Sequence, residues 1–466
     1  MVRIMAKVLF FMPIILGFLI FNNKSLLAEE REKLNWENIK ILDLRTAAHI
    51  SLTANPSLAA AYERVKQAKE RKKQAQSSYW PSINMSTTGS RVWLSEKTYQ
   101  SRLATAQISD PNAEITDPEN YYSTSLSGTW LIFDGFKREY LNASANYGFM
   151  QSEFASMDAK RLLLSGVCST FFLAQLASVD IDIAKADENF NKRQLFEAQA
   201  RRRIGTGSLS DELNFQIRVN SAKAKLINAN QTLEQALYQL AELLGIADAS
   251  FPHQIELAPL EPESEKEMAS PEVEPLIIYA LKHRSDVLLR QVALKQMEAN
   301  VNIARSEFYP TLNFTASVDG DRDSDASFEG DDFGNTLGFL FTYNFFSGGS
   351  HRSKYREAKA KRAEAQKTLE GLQKEVIAQI RSSVTRVISA QKELILRRET
   401  ADLVQQNRDI VEKEYSAGQN SLVRLNESQR DLVTAQSHLV LALVSLRKAW
   451  YALETDTAQI LASLAD

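Results

Sequence analysis

A single cysteine, Cys168, stands in 466 residues, so no internal disulfide is available and stability must come from elsewhere. It lies among Leu162, Leu163, Leu164, Val167 and Phe171, the setting of a small core residue rather than of a nucleophile. Neither sign of charge dominates: the formal net charge is −3, which gives no global attraction to nucleic acid. The five histidines, His49, His253, His283, His351 and His438, show no His-x-x-x-His or glutamate-pair spacing, and no glycine-rich phosphate loop follows a strand. Gly348-Gly349-Ser350 reads as a strand-to-helix turn. No catalytic, cofactor or metal site is therefore expected, and the chain is read as a non-enzyme. Beyond the N-terminus no stretch is apolar and uncharged for 18 residues, so a membrane would be crossed by strands if at all.

What is present begins with an address. Arg3 and Lys7 precede an apolar run from Val8 to Phe21, and Leu26-Leu27-Ala28 ends it with a small residue. Residues 1–28 are expected to be a secretory signal peptide. No cysteine follows it, so no lipidated N-terminus is expected.

Proline and glycine are scarce where helices are long. From His351 to Ser416 there is no proline and one interior glycine, Gly371, and the content is Ala, Leu, Glu, Gln, Lys and Arg, which lose least in a helix. Apolar Leu369, Leu372, Val376, Ile380, Val384 and Val387 step by three and four. Some 65 residues at 1.5 Å each make a rod of about 100 Å. The stretch occurs twice: Phe133-Asp134-Gly135 opens a run ending at Gly205, and Phe346-Ser347-Gly348 opens one ending at Gly418. Upstream, Tyr79-Trp80-Pro81 echoes Phe308-Tyr309-Pro310. Downstream, Gly205 to Leu209 echoes Gly418 to Leu422. Such punctuation at matching offsets is the mark of an internal duplication.

Each half also holds two strand-like segments. Residues 82–93 and 121–133, then 311–318 and 335–346, alternate apolar or aromatic with small polar residues, as outer-membrane strands do. The loops between them, about 94–119 and 319–332, are polar. The second carries aspartates at 319, 321, 323 and 325. It resembles a calcium loop, but Ser324 and Gly330 replace the glycine and glutamate that an EF-hand needs, so a solvated acidic loop and a calcium site stay open as alternatives. Four strands cannot close a membrane barrel, and open edges are not tolerated in lipid, so three chains sharing twelve strands are expected.

Signal, helix, strand pair, long helical hairpin, linker and the whole set again resemble the TolC family of outer-membrane efflux proteins. The resemblance rests on the helix–strand boundaries Pro81, Phe133, Gly135, Pro310, Phe346 and Gly348, and on the hairpin tips near 203–211 and 416–427. The family's tip pattern, Gly-x-x-Ser/Thr-x-x-Asp-x-Leu, is matched by Gly205, Ser208, Asp211 and Leu213. The resemblance implies a mainly α chain with a membrane β-barrel portion, a homotrimer in outer-membrane lipid, and a helical tube crossing the periplasm. It further implies a passive gated conduit docking a periplasmic adaptor (a membrane fusion protein) and an inner-membrane transporter of the RND or ABC type, for efflux or type I secretion. Gly205, Ser208, Asp211, Gly418, Ser421, Arg424 and Glu427 would then form the gate and docking end. At the second tip Arg424 stands where the pattern has aspartate. It either pairs with Asp211 or Glu427 on a neighbouring hairpin or remains a solvated surface arginine.

The implied layout is repeat 1 over 29–246, an equatorial linker over 247–275 rich in Pro, Glu and Ser, and repeat 2 over 276–466. A trimeric coiled-coil tether of the envelope is the alternative, but it leaves the aromatic strands unexplained.

Overall fold

The computed structural model describes residues 39–252, 254–323 and 325–464; the expected signal peptide lies outside them. Two passes of a similar element order make up the chain, differing in a helix between the strands of the first and a short closing helix in the second. The first runs β1 (Ile41–Leu42), α1 (Leu44–Ala54), α2 (Pro56–Ser77), β2 (Ser82–Val92), α3 (Glu96–Ser109), β3 (Glu119–Phe133), α4 (Lys137–Arg203) and α5 (Leu209–Leu244). The second runs β4 (Glu256–Leu257), α6 (Val273–His283), α7 (Ser285–Ser306), β5 (Thr311–Asp323), β6 (Phe333–Thr342), α8 (Ser350–Ser416), α9 (Leu422–Thr457) and α10 (Ile460–Leu464). Helix lengths match pairwise: α1 and α6 have 11 residues, α2 and α7 22, α4 and α8 67, α5 and α9 36. At 1.5 Å per residue α4 and α8 are each about 100 Å long.

Local chemistry sets the breaks. Asp43 caps α1 by accepting from the Thr46 amide at 2.8 Å. Asn55 ends α1 and caps α2, accepting from the Ser57 and Leu58 amides, with Pro56 at the first helical position, where its missing N–H costs nothing. Its Nδ2 donates to the Leu243 carbonyl at 3.0 Å, tying this break to the end of α5. Arg284 holds the corresponding break between α6 and α7. It donates to Asp286 at 2.7 Å, to Gln379 at 2.9 Å and to the Asp456 carbonyl at 3.0 Å. Burial alone would raise the Asp286 pKa, but the Arg284 guanidinium outweighs it and holds the carboxyl below its ordinary value.

Buried apolar residues form three cores along the rod. Leu42, Leu164, Val167, Phe171, Leu240 and Leu244 anchor one; Val376, Ile380, Val387, Leu394, Leu446 and Leu453 anchor the next. A small core of Phe190, Phe215, Val411 and Leu425 sits near the hairpin tips. The expected stripe on α8 is buried except for partly buried Leu372. Cys168 is 2% exposed, and burial pushes its thiol up to about 12, so it is an inert core residue.

The four long strands form one antiparallel sheet in the order β2-β3-β5-β6. Ser82 faces Thr129, Leu126 faces Val318, and Thr311 faces Thr342. Ile83, Met85, Leu126, Val318, Leu337, Phe339 and Phe341 share one exposed apolar face, and the other is mainly Ser, Thr and Asn, with Tyr121, Leu131 and Leu340 among them.

Several expectations are corrected. Residues 94–119 contain a helix, α3, capped by Ser95 with no buried residue. The segment 311–318 continues as strand to Asp323, because Asp319 and Asp321 accept from Ser125 and Tyr121 on β3, and 335–346 ends at Thr342. The linker 247–275 packs onto the rod. Glu256–Leu257 pairs in parallel with Ile41–Leu42, and Gln175, Gln391 and Trp450 donate to the carbonyls of Ala258, Glu267 and Ala269. Its last residues already belong to α6. Contrary to expectation, α4 includes one window long and apolar enough, by length and composition, to cross a membrane. That surface packs into the first core through Leu164, Val167 and Phe171.

Candidate functional site

The two hairpin tips are built by the same device. At the first, Gly205 adopts φ +82°, and the Gly205, Thr206 and Gly207 amides donate to the carbonyls of Arg202 and Arg201 at 3.0 Å, closing α4. Gly207 admits no side chain: a Cβ there would lie 2.7 Å from the Arg202 nitrogen. At the second, Gly418 adopts φ +76°, its amide donates to Tyr415 and the Gln419 amide donates to Glu414. Ser208 then accepts from the Ser210 amide at 3.0 Å, and Ser421 from the Arg424 amide at 3.3 Å, starting α5 and α9.

Asp211 lies in the first turn of α5, where its charge suits the helix dipole. Arg424 occupies the same place in α9, where it does not. Its guanidinium lies 3.7 Å from Glu427, one turn on in its own helix, and both side chains are about half exposed. No ion pair joins Arg424 to Asp211 among the described residues.

Sequence reasoning missed the contacts that weld the two tips together. Arg201 stacks over the Tyr415 ring at 5.4 Å and Arg408 over Phe190 at 5.6 Å; burial raises the Tyr415 pKa. Asn426 donates to Asn214 at 3.1 Å, and Gln429 to buried Asp187 at 3.1 Å. Within the first hairpin, Arg202 at the end of α4 pairs with Glu212 of α5 at 2.6 Å. The Arg201-Arg202-Arg203 run facing Asp211-Glu212 across a tight turn was the available signal.

At the other end of the rods, Gly135 adopts φ +69°, and a Cβ there would lie 2.6 Å from Tyr309 Cβ. Pro81 and Pro310 end the turns after α2 and α7. Phe133 closes β3 and meets Phe136 edge-on. Arg138 donates to the Leu131 carbonyl at 2.7 Å and covers the Tyr79 ring at 4.7 Å. Gly348 has φ +61° with nothing within 4 Å of the point a Cβ would occupy, and Phe346 is 87% exposed. In the acidic loop, Arg322 pairs with Asp332 at 2.8 Å.

A sequence description of the family "outer membrane efflux protein" matches residues 48–246 and 276–458. The outer membrane protein TolC of Escherichia coli is 24% identical over 335 residues, covering 69% of this chain and 66% of that protein. The alkaline protease secretion protein AprF of Pseudomonas aeruginosa is 25% identical over 434 residues, covering 91% and 84%. The solved structure of the Campylobacter jejuni CmeC outer membrane channel superposes with a TM-score of 0.77 at 17% identity, covering 89% and 85%, a likeness of fold.

Proposed function

The chain belongs to the outer membrane efflux protein family, and on that premise we propose that three copies form a gated conduit from periplasm to exterior. The observation that carries this reading is the sheet. Among the described residues its order leaves β2 and β6 with a free edge each, and its apolar face is exposed, with Met85 at 75% and Leu337 and Phe339 at 71%. Lipid covers such a face, but unpaired edges are not tolerated there, and four strands are too few for a barrel. Three copies supply twelve. The Ser, Thr and Asn face then lines the lumen, and α4, α5, α8 and α9 continue it as a tube through the periplasm.

In this reading residues 1–28 are a cleaved signal, 29–246 and 276–466 are duplicated halves, and 247–275 is a belt around the tube. The matching helix lengths support duplication. The tips carrying Gly205, Ser208, Asp211, Gly418, Ser421, Arg424 and Glu427 form the periplasmic gate and docking end, met by an adaptor and an inner-membrane transporter. The conduit is passive, with no catalytic residue, and the transporter chooses the cargo for efflux or type I secretion.

Single-channel recording of the purified protein in planar bilayers tests this. Small, mostly closed conductance is expected. A non-conducting, soluble rod would overturn it in favour of a coiled-coil tether. Within the same assay, Arg424→Ala is expected to raise open probability and to sensitise cells to vancomycin. If both stay unchanged, Arg424 has no part in the gate.

A further inference from the structure

The linker marks one side of the rod at mid-height. Gln391 of α8 and Trp450 of α9 both donate to its Glu267 carbonyl, at 2.9 and 2.7 Å. At about 100° per residue, Arg386, Ser389 and Glu393 lie within about 40° of diametrically opposite Gln391. By the same count Ser445, Lys448 and Ala452 lie within about 40° of opposite Trp450. These residues line one cleft of about 520 Å³, on the face turned away from the linker. Helix α9 runs between α4 and α8, and α4 closes the cleft with Ser165, Ser169 and buried Cys168.

The polar groups of the cleft have no partners within the chain. Among the described residues, neither Arg386 nor Lys448 makes an ion pair, a hydrogen bond or a ring contact. Their neighbours do: Arg381 and Arg397 on α8, and Arg447 on α9, each hold a glutamate. The hydroxyls of Ser165, Ser169, Ser389 and Ser445 are equally unengaged among the described residues. A hydroxyl within a helix commonly bonds back to the carbonyl one turn earlier, as Thr385, Thr400 and Thr434 do in these same two helices. Glu393, the carboxylate in the lining, is already held by Arg397 at 3.3 Å.

Two free cations beside free hydroxyls offer charge and donors with nothing to receive them, which is the chemistry that recognises an oxyanion. The rest of the lining is apolar. Ala449, Ala452 and Tyr451 belong to it, and the Tyr451 ring is fixed against Phe172 at 5.4 Å. Burial pushes the Tyr451 hydroxyl up to about 12, so it stays a neutral phenol. A cleft of this volume takes an organic molecule as well as a bare ion.

We propose that this cleft binds small organic anions. Arg386 and Lys448 hold a carboxylate or sulfonate, the serine hydroxyls donate to its oxygens, and Tyr451, Ala449 and Ala452 meet its apolar body. The site lies within one chain. Its place in transport rests on the tube proposed above: with the linker outside, the cleft opens on the inner wall, and anionic cargo pauses there on its way out.

Equilibrium binding of naphthalene-2-sulfonate to the purified full-length protein in detergent, followed by its fluorescence, tests the site. Saturable binding is expected, weakened about tenfold by Arg386→Gln with Lys448→Gln. Arg352→Gln, which removes an unpaired cation at the head of α8, should leave it unchanged. Glu393→Gln removes a repelling carboxylate and should tighten binding about threefold. Naphthalen-2-ylmethylammonium, of similar shape and opposite charge, should not compete. Equal binding by the native protein and the double variant, or competition by the cation, would overturn the site. In planar bilayers the sulfonate should reduce the current of the native protein and spare that of the double variant. Binding without such a block in a conducting channel would overturn the inner-wall position. Binding by protein that forms no conducting channel would uphold the site and overturn the tube.

Discussion

Gly135 and Gly348 hold the same turn, both with positive φ, yet one lies hard against Tyr309 and the other faces open space. The same contrast recurs along the rod: Phe190 is 3% exposed and its counterpart Leu403 is 59% exposed. One seam between halves is closed within the chain and the other is left bare. The difference shows that the turn itself is dictated by the backbone, whereas what packs against it is not; in the trimer proposed above, another copy supplies the missing neighbour.

The largest effect that separates the two seams is expected at the closed one. Phe215→Ala empties a fully buried site in the tip core and should cost about 3–5 kcal/mol, seen as lost amide-exchange protection around Val411 and Leu425. Leu403→Ala should leave that protection intact. Gly135→Ala should cost roughly 2–3 kcal/mol, since a left-handed residue with a Cβ is strained and this Cβ collides with Tyr309. In dissociated protein Gly348→Ala should cost only about 1–2 kcal/mol, from the backbone alone; equal losses in thermal midpoint would erase the contrast.

Acid should loosen the break between α6 and α7. Asp286 has its folded pKa held below the ordinary aspartate value near 3.9, so its contribution is full above about pH 4. It fades as pH falls through the lower folded value. A thermal midpoint that declines below pH 4 in the native protein, but less steeply in Asp286→Asn, is the expected result. The smallest effect is at the caps: Ser421→Ala should cost about 1 kcal/mol and speed exchange of the Arg424 amide alone.

Much of this was legible in sequence because it depends on neighbours in the chain. The proline-free runs gave the 67-residue helices, the stripe from Leu369 to Val387 gave their buried face, and glycine followed by serine gave both tips. What escaped depends on distance in sequence. Two-residue β1 and β4 are too short to show alternation, and their pairing spans more than 200 positions. The aspartates of β5 are poor strand formers and are held by the ladder to β3. Helix α3 buries nothing and so has no apolar period, although Ser95 and Glu96 marked its start. At the site, the glycines and caps were readable, whereas the Arg201–Tyr415 and Asp187–Gln429 contacts needed the two hairpins side by side.

In the proposed trimer other copies complete the bare seam, and native mass measurement of protein extracted from the outer membrane reads that directly. Three chains per particle, with no ligand or second protein required, is the predicted result. A particle of a single chain, stable with both sheet edges unpaired, would contradict it.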